Sequence, residues 1–181
     1  MRFTPTPIPG AVLIDLEPHA DERGFFARSL CVDEFREHGL DGRMVQQSLS
    51  WNPRRGTLRG LHFQAVPHAE DRLVRVTRGA IYDVIVDLRA DSATRGHWFG
   101  VELGADNRRQ IYIPRGLAHG FQTTEDDTEV FYQMTVPFHA DAPRGIRWDD
   151  PELAIAWPLP ELARQEGRIS TRDLAWPTLQ P

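Results

Sequence analysis

The stretch Leu73-Val74-Arg75-Val76-Thr77-Arg78-Gly79-Ala80-Ile81-Tyr82-Asp83-Val84-Ile85-Val86-Asp87-Leu88 decides the fold class. Two runs rich in Val, Ile and Leu, Leu73 to Val76 and Ile81 to Leu88, flank Arg78-Gly79. Short apolar runs bounded by glycine read as strands rather than helix, and the Gly turn predicts a hairpin. A second hairpin is expected from Trp98 to Leu103 and Gln110 to Ile113, joined by Gly104-Ala105-Asp106-Asn107. A third is expected from Phe121 to Thr123 and Glu129 to Val136. Turn signals recur at roughly 8–12 residues, the spacing of an all-β sandwich or barrel. Helix is scarce. Val32 to His38 reads as a short helix stopped by Gly39, and Leu159 to Glu166 as another turn or two. The tail from Trp148, rich in Pro and Trp, is expected to lie across the barrel. With no repeat or linker in 181 residues, the simple reading is one domain spanning 1–181.

Composition removes several classes of function. The net charge of −5 supplies no basic field for nucleic acid. All 21 basic residues are arginine. Without a lysine amine there is no Schiff base and no Walker-type phosphate loop. Arginine remains, and its planar fork suits phosphate and carboxylate. The single cysteine, Cys31, permits no internal disulfide and reads as a structural thiol. The opening residues Met1-Arg2-Phe3-Thr4-Pro5 lack the apolar core of a signal peptide, and no run approaches the ~20 apolar residues of a membrane span. A soluble, cytoplasmic enzyme or binding protein is expected, with no membrane and no nucleic acid as partner.

Four segments could carry chemistry. Gly56-Thr57-Leu58-Arg59-Gly60-Leu61-His62-Phe63-Gln64 puts an Arg and a His three residues apart between glycines. On a strand, His62 and Gln64 share a face; the sequence leaves open a core histidine held by a carbonyl or a catalytic one. Ile113-Pro114-Arg115-Gly116-Leu117-Ala118-His119-Gly120-Phe121 contains Pro-x-Gly-x-x-His, the second half of the cupin signature. In many cupins this His ligates a metal together with a His-x-His and a Glu. Here the first half reads His62-Phe63-Gln64, and Glu70 follows at a loose spacing, so no good three-ligand set results and no metal is expected. In Glu129-Val130-Phe131-Tyr132-Gln133-Met134, Tyr132 is either a barrel-wall tyrosine or an acid–base group in the cavity. In Ser170-Thr171-Arg172-Asp173, Ser170 or Asp173 caps a turn, or Asp173 orients a histidine.

Taken in order, these motifs resemble the dTDP-4-dehydrorhamnose 3,5-epimerase family, the RmlC-like cupins. The resemblance also runs through Asp21-Glu22-Arg23-Gly24-Phe25-Phe26, Arg72-Leu73-Val74-Arg75-Val76, Asp83-Val84-Ile85-Val86-Asp87-Leu88-Arg89 and Gly145-Ile146-Arg147-Trp148-Asp149-Asp150-Pro151. It implies a metal-free, cofactor-free jelly-roll barrel. It implies a homodimer that exchanges N-terminal strands, so that Arg23 to Phe26 complete the neighbour's nucleotide site. By matching position, His62 is the base, Asp173 its orienting partner and Tyr132 the acid on the opposite ring face. Arg23, Phe26, Gln46, Ser48, Arg59, Arg72, His119, Phe138 and Arg172 fall at substrate-binding positions. The implied substrate is a nucleotide-linked 4-keto-6-deoxy sugar, inverted at C3, C5 or both.

The chain departs from the family at several of these positions. Arg72 stands where the family usually has Lys, and Ser48 where it often has Asn. Arg28 and Arg144 replace glutamates, and Pro137-Phe138 replaces a Tyr-Tyr pair. An Arg stabilises charge but is a poor proton donor, its pKa being above ~12. Exchanging acceptors for cationic donors alters which nucleotide is welcome, so CDP, GDP and UDP sugars stay open beside dTDP. A keto-isomerase on the same fold, a metal-dependent cupin and a non-catalytic sugar binder remain alternatives.

Overall fold

The computed structural model describes residues 1–179 of the chain. Two sheets face one another as a jelly roll. In chain order the strands are β1 (Arg2–Pro5), β2 (Val12–Asp15), β3 (His19–Asp21), β4 (Gly24–Phe26), β5 (Gln46–Asn52), β6 (Leu58–Gln64) and β7 (Arg72–Arg78). They continue with β8 (Ala80–Asp87), β9 (Trp98–Gly104), β10 (Gln110–Ile113), β11 (Leu117–Thr123), β12 (Thr128–Met134) and β13 (Pro143–Gly145). Short helices α1 (Val32–Glu37), α2 (Pro160–Ala163) and α3 (Thr171–Leu174) complete the described elements. One sheet runs β1-β2-β10-β7-β12-β5, the other β13-β6-β11-β8-β9, and β3 pairs only with β4. No described helix is long and apolar enough to cross a membrane.

The strands lie where the apolar runs put them, but the three expected hairpins do not form. At each turn the chain leaves one sheet for the other. β7 belongs to the six-stranded sheet and β8 to the five-stranded one; β9 and β10 divide likewise, as do β11 and β12. A turn-forming residue specifies that the chain reverses. Whether the two strands then pair or separate is decided by which faces must be buried. Gly79 sits at such a corner with φ of +73°, and a Cβ there would lie 2.4 Å from Thr128 Oγ1. The true hairpins are β1–β2, β3–β4 and β8–β9, the last across a longer loop.

Apolar residues cover both faces of each sheet, which is why Ile81 to Leu88 reads as an almost unbroken hydrophobic run. Val74, Val76, Ile81, Ile85, Ile111, Phe121 and Val130 fill the space between the sheets. Outside the five-stranded sheet, Leu58, Leu61, Val84 and Val86 pack under Trp148, Leu153 and Trp157 of the tail. The tail thus lies across the barrel as its composition suggests. Outside the six-stranded sheet, Ile14, Leu73 and Tyr112 pack under Phe35 of α1.

Candidate active site

A cavity of about 610 Å³ opens between the sheets toward the β6 and β12 end. That size suits a small-molecule ligand. Its wall includes Gln46 and Ser48 of β5, Arg59 and His62 of β6, Arg72 of β7, His119 of β11, Tyr132 of β12, Phe138, and Arg172 and Asp173 at α3. Arg23 and Phe26 are the exceptions. They lie on the β3–β4 hairpin, away from this wall, with Phe26 76% exposed. Arg28 pairs with Glu34, and Arg144 turns back onto the Asp141 and Pro143 carbonyls, so neither replaced glutamate position lines the cavity within this chain.

Strict alternation would send Arg59 and His62 to opposite faces of β6. A bulge brings them together. Opposite β11, His62 pairs with His119 and Arg59 with Phe121, so three steps on β6 face two on β11. The extra residue flips the parity, as β-bulges do beside functional sites. Glycine permits it: a Cβ on Gly60 would stand 2.5 Å from Gly120 Cα, and one on Gly120 2.7 Å from the Arg59 carbonyl oxygen.

His62 Nε2 lies 2.6 Å from Asp173 Oδ1. An ionised carboxylate can only accept, so Nε2 carries the hydrogen and Nδ1 keeps a lone pair. The His62 side chain is 38% exposed, that of Asp173 only 6%. Burial alone would raise the Asp173 carboxyl pKa. The His62 hydrogen bond, the ring's charge once it is protonated, and smaller help from the Gly60 N–H and Ser170 hold it below the usual carboxylate range. Ser170 caps α3 by accepting from the Asp173 N–H at 3.1 Å. Both readings of this segment are therefore realised, by different residues: Ser170 caps and Asp173 meets the histidine. Trp176 stands edge-on to the His62 ring at 6.2 Å and lies under the Arg172 guanidinium.

Tyr132 comes from the opposite sheet. Burial pushes its phenol far above the ordinary tyrosine value, and the Asp83 charge adds to that, while Arg59 and Arg72 pull it back. It is therefore protonated at neutral pH. His119 meets the Tyr132 ring edge-on at 6.1 Å, and its Nε2 lies 2.7 Å from Asp83 Oδ1, both side chains being buried. Asp83 Oδ2 is buried without a hydrogen-bond partner among the described residues.

Sequence reasoning missed Asp83, Asn52 and Trp176. Asn52 is fully buried and accepts from Arg59 Nε at 2.7 Å, fixing that side chain. Asp83 did carry a signal: a carboxylate on the inward parity of an apolar strand needs a partner there. Glu70, which follows the first motif at a loose spacing, is occupied by Arg72 and Gln64. Among the described residues no group of three or more His, Cys, Asp or Glu is arranged to hold a metal ion.

The family model described as dTDP-4-dehydrorhamnose 3,5-epimerase matches residues 5–181. The dTDP-4-dehydrorhamnose 3,5-epimerase of Methanothermobacter thermautotrophicus is 44% identical over 99% of this chain and 95% of its own. The crystal structure of the epimerase from Elizabethkingia anophelis superposes with a TM-score of 0.94 at 34% identity, covering 99% of this chain and 96% of that one. That of the Bacillus anthracis enzyme, with TDP and pyrophosphate bound, gives 0.92 at 40% identity, covering 98% and 99%. A jelly roll with this cavity, matched end to end at such identity, belongs to the dTDP-4-dehydrorhamnose 3,5-epimerase family of isomerases.

Proposed function

We propose that the protein epimerises a dTDP-linked 4-keto-6-deoxy hexose at the carbons flanking its ketone, with His62 as base and Tyr132 as acid. One observation carries the reading. A carboxylate-held imidazole and a buried, protonated phenol reach into one cavity from opposing sheets. Inverting a carbon requires a proton to leave one ring face and return on the other.

The chemistry follows from those groups. A C–H beside a ketone is acidic because its anion delocalises onto the oxygen. His62 Nδ1 takes the proton, and Asp173 stabilises the imidazolium that forms. Arg72 supplies positive charge and N–H donors where the enolate oxygen develops, with His119 beside it on the cavity wall. Tyr132 returns a proton from the far face. C3 and C5 both flank C4, so one base and one acid can serve both. The imidazolium then gives its proton to solvent and the tyrosinate takes one back, so the count balances, nothing is oxidised, and the proposed cycle has no step for a redox cofactor or a metal.

The remaining cavity residues suit the rest of the substrate. Arg59 and Arg172 present guanidinium groups to the diphosphate. Phe138, whose N–H is held by Gln46 Oε1 at 2.8 Å, offers a ring for the base. We further propose a homodimer in which the exposed β3–β4 hairpin delivers Arg23 and Phe26 to the partner's cavity. The Bacillus anthracis structure, with TDP bound, supports dTDP as the nucleotide.

The test is incubation with dTDP-4-keto-6-deoxyglucose in deuterated water, read by NMR. The proposal expects deuterium at C3 and C5, with exchange inhibited by dTDP. No deuterium at either carbon would overturn it.

A further inference from the structure

Glu70 lies in the loop between β6 and β7, and its side chain is 4% exposed. Its two oxygens are used differently. Oε1 accepts from Arg72 Nε at 2.7 Å and is also in contact with Arg72 Nη2. Oε2 accepts from Gln64 Nε2 at 3.0 Å. Arg72 is itself largely buried, and its Nη1 donates to the His62 carbonyl at 3.2 Å. Of the five guanidinium N–H groups, three are thus committed to protein, and two are left for a ligand in the cavity.

A free arginine side chain has many rotamers and sweeps a wide volume. A carboxylate gripping Nε and Nη2 from one side removes that freedom and fixes the guanidinium plane. Gln64 does not depend on Glu70 in the same way. Its amide also donates to the His68 carbonyl at 3.1 Å and accepts from the His139 N–H at 2.8 Å. Glu70 is therefore the principal restraint on Arg72 but one of several on Gln64.

We propose that Glu70 is a positioning residue for the epimerisation: it aims Arg72 at the oxygen on which charge develops, and it acts on turnover through Arg72 rather than by bracing the fold. This rests on the epimerase reading above. Preorganised charge lowers a barrier only when it is held in place, and a misplacement of about 1 Å costs on the order of 10²-fold.

The experiment compares wild type, Glu70→Gln, Arg72→Ala and the double variant, measuring deuterium exchange at saturating dTDP-4-keto-6-deoxyglucose and dTDP affinity by calorimetry. Glutamine keeps the shape but has one acceptor oxygen and no charge. Glu70→Gln is expected to lower kcat about 10- to 100-fold with dTDP affinity within twofold of wild type. Because Glu70 acts through Arg72, the double variant should match Arg72→Ala within about twofold. Unchanged kcat in Glu70→Gln, loss of dTDP binding with it, or a further tenfold loss in the double variant would each overturn the proposal. If wild type itself exchanges no deuterium, the epimerase reading falls and this falls with it; an active wild type with an equally active Glu70→Gln sinks the Glu70 proposal alone.

Discussion

At the scale of single residues, the site is a set of charged and titratable groups each held by one specific neighbour. Asp173 holds His62, Asp83 holds His119, Asn52 holds Arg59 and Glu70 holds Arg72. Replacing Asp173 by Asn leaves the shape but removes the negative charge facing the imidazolium. Asp173→Asn should slow exchange on the order of 10²-fold, with dTDP affinity little changed, as single-turnover kinetics and calorimetry would report. The held member of each pair, His62, His119, Arg59 or Arg72, lies in one of the motifs quoted from the sequence. Of the holders, Asp173 is legible from its own motif and Glu70 only as the acidic residue after the first one, while Asp83 and Asn52 are legible only as a buried carboxylate and a buried amide on strands. Glu70 and Arg72 are two residues apart, but the other three pairs are 7 to 111 residues apart, a separation that no local pattern encodes.

At the scale of elements, glycine and buried carboxylates shape the strands and loops. The bulge in β6 that turns Arg59 and His62 to one side exists because Gly60 and Gly120 let two backbones touch. Gly60→Ala should destabilise by about 3 kcal/mol, since Gly60 has φ of +128° and a Cβ would strike backbone, not a movable side chain. A urea unfolding midpoint measures it. Asp87, fully buried at the end of β8, accepts from Arg89, Ser92 and Thr94 and orders the loop to β9. Burial opposes its charge, but those hydrogen bonds win and hold its pKa well below the ordinary value. A depressed carboxylate pKa means stability that is present above the unfolded value of about 3.9 and lost as pH falls toward the folded one. Wild-type thermal midpoints should therefore drop steeply below about pH 4, and Asp87→Asn should be lower at pH 7 with a shallower acid slope. Strand positions were readable from apolar runs. Strand pairing was not, because Gly79 and the Gly104 to Asn107 turn announce a reversal without saying which sheet receives the next strand.

At the scale of the whole molecule, the cavity gathers His62, Tyr132 and Asp173 while the β3–β4 hairpin stands apart with its aromatic rings exposed. In an exchanged dimer, each complete site draws His62 from one protomer and Arg23 from the other. Arg23→Ala and His62→Ala proteins should each be nearly inactive alone. Refolded together in equal amounts, they should recover about a quarter of wild-type activity, since half the dimers are mixed and each of those carries one intact site. Exchange assays on the mixture check this, and no recovery would show that Arg23 serves its own chain or none. The all-β character was visible in turn spacing, while the jelly-roll class came only with the resemblance carried by the ordered motifs. The hairpin's separation from the cavity was not readable from local pattern, because its residues satisfy local rules equally well in either place; it came only from the resemblance, which puts Arg23 to Phe26 at a neighbour's site.

The most direct measurement follows solvent deuterium in dTDP-4-keto-6-deoxyglucose with wild type, His62→Ala and Tyr132→Phe in parallel. Wild type should exchange and invert, and His62→Ala should lose exchange on the order of 10³-fold while still binding dTDP. Tyr132→Phe should exchange protons without completing inversion, because removal and return use different residues. Full exchange in His62→Ala would contradict the assignment of His62 as the base.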